Sequence, residues 1–372
     1  MRQLPLVVHL VYRLDFGGLE TVLAECVNRM PADKYRHAVV CLTDFTSFAK
    51  KITKPGVEII ALHKPAGLGL KTHLKLWKLL RKLRPAILHT YNLAAIEYSF
   101  TAKMAGVPIC IHAEHGRDLS DPEGKNPKHN MLRRLLIPFI DCYIPVSRDL
   151  RQWLKDVIRV PDAKNLLINN GVDTERFHAA PNGLATEPFV VGTVGRVQDI
   201  KNHKGLVIAF QRLLELMPEH KEKLRLHIIG DGPLMRQLQA QVDTTGPGEQ
   251  IWLAGARSDI AELMREFSVF VLPSFAEGTP VTLLEAMSSG LPVIASAVGG
   301  IPDVLDQGRT GILVSASDHE AIAASLADYF RQPAKMAQHG IAGRELVEQN
   351  YSIAAMLQNY MKLYDALCQA KL

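Results

Sequence analysis

The stretch VFVLPSFAEGTPVTLLEAMSSGLPVIAS, residues 269–296, carries the decision about the fold. VFVLPS (269–274) is an apolar, β-branched run of strand length, and FAEGTP (275–280) is a turn. VTLLEAMSSG (281–290) has a helical pattern that stops at Gly290, and LPVIAS (291–296) is a second strand. Strand, turn, helix and strand in that order make a βαβ unit, whose strands lie parallel and whose crossover is right-handed. Strands covered on both faces read as unbroken apolar runs, as these two do. Two acids eight positions apart, Glu277 and Glu285, interrupt these small and apolar surroundings, and each needs a partner or water.

The same alternation extends outward in both directions. Strand candidates precede it at 4–11, 37–43, 57–62, 86–91, 109–115 and 142–147, then at 189–195, 224–230 and 251–255. TGILVS (310–315) follows it. Helical patterns lie between them, among them 18–30 and 74–84. The pattern pauses at FHAAPNGLATEP (177–188), which is rich in Pro, Gly and Ala and reads as a linker. A chain of 372 residues also exceeds what one ordinary core fills. The expectation is therefore α/β, with two Rossmann-like parallel-sheet domains facing a central cleft. The first spans 1–178, a linker 179–188, and the second 189–350. A last helix, 353–368, packs its apolar stripe back on the first domain.

A hydrophobic fraction of 47% with 22% charged residues fits a folded protein rather than a disordered one. The net charge of +5 suits an anionic small molecule or membrane surface, and nothing in it calls for nucleic acid. Five scattered cysteines with no CxxC pair argue against a disulfide framework or structural zinc and for a reducing compartment. No apolar run approaches the roughly 20 residues of a membrane span. The expected location is cytoplasmic, at most at the inner face of a membrane.

In open α/β sheets ligands bind beyond the carboxyl ends of the strands, where loops enter helix N-termini. Three loops there are unusual. DFGGLE (15–20) offers Gly17, Gly18 and free helix-start amides to an anion. GRVQDIKN (195–202) places Arg196 and Lys201 five apart, able to converge on a pyrophosphate. FAEGTP is the third: Pro280 suits a first helical turn and Thr279 its cap. The backbone from Gly278 through Val281 to Thr282 then forms an anion-binding nest. Glu277 and Glu285 could accept from vicinal hydroxyls of a sugar or ribose. Alone, each loop also reads as an ordinary turn, a solvated charge pair or a capped helix. His115, before Gly116 at a strand end, is a further candidate, whereas His89 reads as structural or supporting.

The run E-G-T-P-V-T-L-L-E-A-M-S-S-G-L-P-V-I-A-S resembles the E-x7-E signature of retaining glycosyltransferase family 4, which has the GT-B fold. In the same order as in that family stand G-G-L-E (17–20), E-H-G (114–116), V-S (146–147), N-G-V-D (170–173), G-R with Lys201, G-D-G-P-L (230–234) and G-A-R-S-D (255–259). The resemblance implies that Gly17 and Gly18 border the donor phosphates or the acceptor, and that His115 faces the donor sugar. It implies that Arg196 and Lys201 hold the diphosphate and stabilise the leaving nucleotide, so no metal and no other cofactor is expected. Glu277 would hold sugar hydroxyls, Glu285 the ribose, and the segment from Arg257 to Ile260 would lie near the base. KNHKG (201–205) departs from relatives in which Gly directly follows the Lys. No D-x-D occurs.

The activity implied is a metal-independent, retaining transfer of sugar from a nucleotide diphosphate donor to a glycan or lipid-linked acceptor. The chain looks most like bacterial transferases of exopolysaccharide or cell-surface glycan assembly. The rivals are a nucleotide-sugar epimerase or hydrolase of the same fold and a non-catalytic glycan-binding protein. A dinucleotide oxidoreductase lacks support, because no G-x-G-x-x-G follows either first strand. KTHLKLWKLLRKLR (71–84) and KHNMLRRLLIPF (128–139) are basic and amphipathic. They fit outer helices of a Rossmann domain, and also peripheral contact with anionic membrane. Leu74, Trp77, Leu80 and Leu83 are expected to share one stripe of the first helix.

Overall fold

The computed structural model describes residues 4–67, 69–118, 120–181, 183–245 and 248–372. Among the described residues, twelve strands form where the apolar runs lie: β1 (Leu6–Val11), β2 (Arg36–Cys41), β3 (Glu58–Ala61), β4 (Ile87–Tyr91), β5 (Ile109–Glu114) and β6 (Cys142–Pro145), then β7 (Phe189–Val194), β8 (Leu224–Ile229), β9 (Ile251–Gly255), β10 (Val269–Leu272), β11 (Val293–Ser296) and β12 (Gly311–Val314). They assemble into two six-stranded sheets, ordered β3-β2-β1-β4-β5-β6 and β12-β11-β10-β7-β8-β9. All pairings within them are parallel. Counted from its own first strand, each sheet has the order three-two-one-four-five-six. The order reverses between β1 and β4 in one sheet and between β7 and β10 in the other, and such a switch point is where doubly wound sheets bind ligands.

Both faces of the second sheet are aliphatic. Val191, Leu226, Ile228, Val269 and Val271 pack on one side, with the helices His203–Leu216 and His319–Arg331. Val190, Val194, Ile229, Phe270 and Leu272 pack on the other, against the helix Val281–Ser288. Full burial of each such side chain contributes about 1.5–3 kcal/mol. The first sheet has one face of this kind, where Val8, Leu10, Val40 and Leu88 meet Leu76 and Leu80 of the helix Leu70–Leu83. Its other face carries His9, His37, His89 and Tyr91, all buried.

That second face is covered by the helix Ile353–Lys371. Tyr364 exchanges a hydrogen bond with His89 Nδ1 at 2.8 Å, and Tyr35 donates to Asp365 at 2.5 Å. The chain accordingly divides into two compact units: residues up to Asn170 with Ala354–Leu372, and Gly171–Ile353. The division falls at Asn170/Gly171, ahead of the stretch 179–188 expected as the linker and of the expected boundary at 178. Val172 forms a parallel bridge with Ser352, and its amide donates to Tyr351 O at 2.9 Å. Ser288 Oγ donates to Phe177 O at 2.6 Å. Those bonds fix 171–178 to the second unit, although their composition resembles a loop.

The amphipathic helix differs from its sequence pattern in one respect. Leu80 faces inward with Leu76, whereas Leu74 and Trp77 are exposed. The apolar stripe of Leu70–Leu83 is wider than the face the sheet can cover.

Candidate active site

The switch point of the second sheet is built from two loops that hold each other. Beyond β7, the Gly195 amide donates to Ile229 O at 2.9 Å, and the Val197 amide to Asp231 O at 3.1 Å. Gly230 has φ +141°, and a Cβ there would collide with the Gly195 carbonyl, so only glycine lets the segment after β8 lie this close. Beyond β10, the Phe275 amide donates to Ile200 O at 2.8 Å, joining the two loops.

This frame brings Lys201 and Glu277 together, with Nζ 2.5 Å from Oε1 and both side chains mostly buried. A buried charge is costly unless it is paired, so each residue fixes the other's position. The KNHKG departure leaves Lys201 in place. Asn202 adopts the left-handed conformation (φ +54°), accepts from the Gly205 amide and donates to Ala316 O at 2.8 Å. It thereby caps the helix His203–Leu216. Lys204 turns away to Gln237. His203 is buried beside Lys201, and desolvation, then the nearby ammonium, lowers its pKa to about 4. Arg196 is exposed at the end of β7 and makes no hydrogen bond or ion pair among the described residues.

Glu277 is also held through its backbone. Gly299 has φ +53°, and a Cβ there would strike the Glu277 carbonyl, while the Gly300 amide donates to Gly278 O at 3.0 Å. The helix start departs from expectation. Pro280 occupies the N-cap position rather than the first turn and makes no side-chain cap hydrogen bond, and Thr279 is buried. Pro280 has no side-chain acceptor to offer. Among the described residues the amides of Val281 and Thr282 find no acceptor, and the amides of Leu283 and Leu284 share Pro280 O. Uncapped amides at a helix start favour an anion. Glu285 is half-buried in that helix. Arg257 lies beyond the edge strand β9, paired with Asp259 at 2.9 Å and over the Trp252 ring.

The candidates of the first unit are arranged separately. Gly17 precedes the helix Gly18–Arg29 in extended conformation, and that helix also lacks a side-chain cap. His115 follows β5. Its amide donates at 2.8 Å to Asn92 Oδ1, and Asn92 is left-handed (φ +55°) directly after β4, at the switch point. Both His115 ring nitrogens are buried and have no hydrogen-bond partner among the described residues. Desolvation lowers its pKa to about 4, with His112 adding to the effect and Glu114 opposing it, so the ring is neutral at pH 7. A neutral imidazole offers one donor and one acceptor. Beneath it, Glu114 accepts from Arg133 Nε at 2.6 Å and lies 3.2 Å from His112 Nε2. Burial raises its pKa, but the Arg133 guanidinium and the His112 ring together outweigh burial and hold it at about 2. His89 sits in the core between Tyr364 and Tyr91.

Asn92, Asn202, Gly299 and Gly300 escaped the sequence reading as site residues. An Asn just after a strand or before a helix, and a Gly pair after a strand, were the signals available, and each is common in plain turns.

Two family models match the chain: Glycosyltransferase Family 4 over residues 16–176 and Glycosyl transferases group 1 over residues 174–346. The chain is 31% identical over 264 residues to the UDP-Gal:alpha-D-GlcNAc-diphosphoundecaprenol alpha-1,3-galactosyltransferase of Escherichia coli, covering 67% of each. The chain belongs to the family 4 glycosyltransferases. A D-inositol 3-phosphate glycosyltransferase of Streptomyces avermitilis is 29% identical over 374 residues, covering 90% of this chain and 80% of the relative. Among solved structures, Anabaena HepE in complex with UDP-glucose superposes with a TM-score of 0.81 at 18% identity, over 97% of this glycosyltransferase and 99% of HepE. Sucrose-phosphate synthase from Thermosynechococcus elongatus does so with 0.81 at 20% identity, over 99% and 100%. The fold is GT-B.

Proposed function

We propose that this glycosyltransferase moves a sugar, with retention of anomeric configuration, from a nucleotide diphosphate donor to a glycan or lipid-linked acceptor in exopolysaccharide or cell-surface glycan assembly. The Lys201–Glu277 pair carries the reading: it holds a partly buried cation and a hydroxyl acceptor side by side at a switch point. The donor's diphosphate takes the place of the Glu277 carboxylate at Lys201, with Arg196 and the amides of Val281 and Thr282 as further donors. Glu277, so released, accepts from sugar hydroxyls, and Glu285 from the ribose. As the anomeric bond breaks, charge grows on the leaving phosphate, where fixed cations and dipoles stabilise it most. The acceptor attacks from the same face. The neutral His115 ring is suited to hydrogen-bonding the donor sugar.

Because Arg196 and Lys201 neutralise the diphosphate, the reading requires neither cation nor other cofactor, and turnover in chelator tests this. The relatives favour a UDP-sugar: the E. coli enzyme is named for UDP-Gal, and HepE is solved with UDP-glucose. The named acceptor of the E. coli enzyme is a diphosphoundecaprenol-linked sugar, which would place this chain peripherally at a cytoplasmic membrane face. Among the described residues no helix is long and apolar enough to cross a membrane.

A thermal-shift screen over UDP-, GDP- and ADP-sugars is the test. A ligand of the folded state alone stabilises by RT ln(1 + [L]/Kd). The true donor raises Tm, Glu285→Ala lowers that shift, and Arg196→Ala also reduces turnover. Unchanged activity in both variants would overturn the assignment. Consumption of donor without acceptor would instead favour an epimerase or hydrolase.

A further inference from the structure

The histidine and tyrosine face of the first sheet forms a line from the last helix to the candidate site. Tyr364, on Ile353–Lys371, has its hydroxyl 2.8 Å from His89 Nδ1. The Tyr91 hydroxyl lies 3.2 Å from that same nitrogen and 2.9 Å from His9 Nδ1, and His9 Nε2 lies 3.0 Å from His37 Nδ1. His9, His37, His89, Tyr91 and Tyr364 are all buried, so a lost partner leaves a polar atom unpaired. The line ends at His115, whose ring stands 5.7 Å from the Tyr91 ring, centroid to centroid, at 43°. The next residue, Asn92, holds the His115 amide from a left-handed conformation, uncommon outside glycine. The end of β4 therefore supplies both the wall against the His115 ring and the anchor of its backbone.

Desolvation keeps His9, His37 and His89 neutral, and a neutral imidazole carries its proton on one nitrogen only. The four contacts then admit two proton arrangements. In one, the proton on His89 Nδ1 is shared between the two phenol oxygens, Tyr91 donates to His9 Nδ1, and His9 Nε2 donates to His37 Nδ1. In the other, every donation reverses. The line switches as a whole, because Tyr91 has a single proton and stands between two ring nitrogens. The Tyr364 hydroxyl shares in the choice at His89, so it acts on Tyr91, and the Tyr91 ring borders His115.

We propose that Tyr91 and Tyr364 are positioning residues for His115, so that the last helix, seated through Tyr364 on His89, sets the ring that meets the donor sugar. The proposal rests on the reading of His115 as facing that sugar, yet its first test needs no ligand.

The experiment is a long-range proton–nitrogen correlation spectrum of the full chain carrying isotope-labelled histidine, with the His115 signals identified by their loss in His115→Gln. Tyr91→Phe and Tyr364→Phe each remove one hydroxyl and keep the ring. Both are expected to move the His115 nitrogen signals. Tyr35→Phe removes the bond to Asp365 on the same helix and leaves the His89 line whole, so it should leave those signals in place. A second measurement compares affinity for UDP with that for UDP-glucose or UDP-galactose, whichever stabilises the parent more than UDP does. Tyr364→Phe should weaken the sugar nucleotide about fivefold, as for one lost hydrogen bond, and leave UDP within about twofold. A general loosening would weaken both. His115 signals that neither Tyr91→Phe nor Tyr364→Phe moves overturn the proposal. Movement in Tyr91→Phe alone also overturns it, since the last helix then has no part, as does equal movement in Tyr35→Phe. Signals that move while sugar-nucleotide affinity stays that of the parent support the positioning and overturn instead the reading of His115 as facing the sugar.

Discussion

The two sheets share one strand order and furnish it in opposite ways. At the switch point of the second, Lys201, Glu277 and uncapped amides stand between aliphatic faces. The first carries one face of buried histidine and tyrosine: His9 Nδ1 bonds Tyr91 OH at 2.9 Å, and His9 Nε2 lies 3.0 Å from His37 Nδ1. Desolvation lowers the pKa of each of these histidines, so the face is neutral. A parallel sheet therefore fixes where a ligand can sit and leaves the sign of the site to the loop residues. The second sheet's switch point is charged, whereas the first sheet's neutral face is covered by the helix Ile353–Lys371.

The comparison can be broken most severely in the first unit. Arg133→Met leaves Glu114 buried without its cation, and a loss of about 3–5 kcal/mol in urea unfolding is expected, with the helix Pro127–Leu136 exchanging amide hydrogens first. In the second unit the same kind of cut should be felt in catalysis instead. Lys201→Ala should lower kcat/KM for the donor about a hundredfold or more, about 3 kcal/mol, read from initial rates. An enzyme that keeps its rate without Lys201 would remove the distinction between the two switch points.

Acid should separate the units as well. His37 and His115, with folded values near 4, are neutral where the unfolded chain's histidines, near 6.5, take up protons. The unfolded state then binds more protons, so these histidines cost the fold nothing above pH 6.5 and destabilise it increasingly as pH falls toward 4. Each such group costs on the order of 3 kcal/mol once pH reaches about 4. Glu114 acts lower, between about 4.5 and 2. Hydrogen exchange at pH 5 should show the first sheet opening before the second, where His203 alone has a value near 4. The smallest effect expected is that of Asn202→Ala, which removes a helix cap worth about 1 kcal/mol. It should loosen Lys201 and so raise the donor KM more than it lowers kcat.

Much of this was legible in residue order. Each of the twelve apolar runs became a strand, because a strand covered on both faces admits few polar residues over its length. Glu277 stood out because a charge in an apolar frame needs a reason to be there, and Lys201 because it stands five residues after Arg196 in a loop that leaves a strand. The helix start at Pro280 was misplaced by one position, since a proline fits either the N-cap or the first turn and only its ψ distinguishes them. The stretch 171–178 was assigned to the wrong unit because its anchors, Ser352 and Ser288, lie more than a hundred residues away. The outward turn of Leu74 and Trp77 was equally hidden: periodicity gives the width of a stripe but not how much of it a sheet can cover.

The sequence by itself determined the βαβ alternation and the doubled Rossmann plan, and it offered the candidate residues for a nucleotide-sugar site. These follow from local periodicity and from the cost of burying charge, which neighbours along the chain record. Only the tertiary structure decided that Lys201 meets Glu277, that Asn92 holds the amide of His115, and that Gly299 gives Glu277 its place. Those contacts join segments whose separation in the chain carries no trace of their distance in space. They exist because parallel strands bring the ends of remote crossovers to one edge of the sheet.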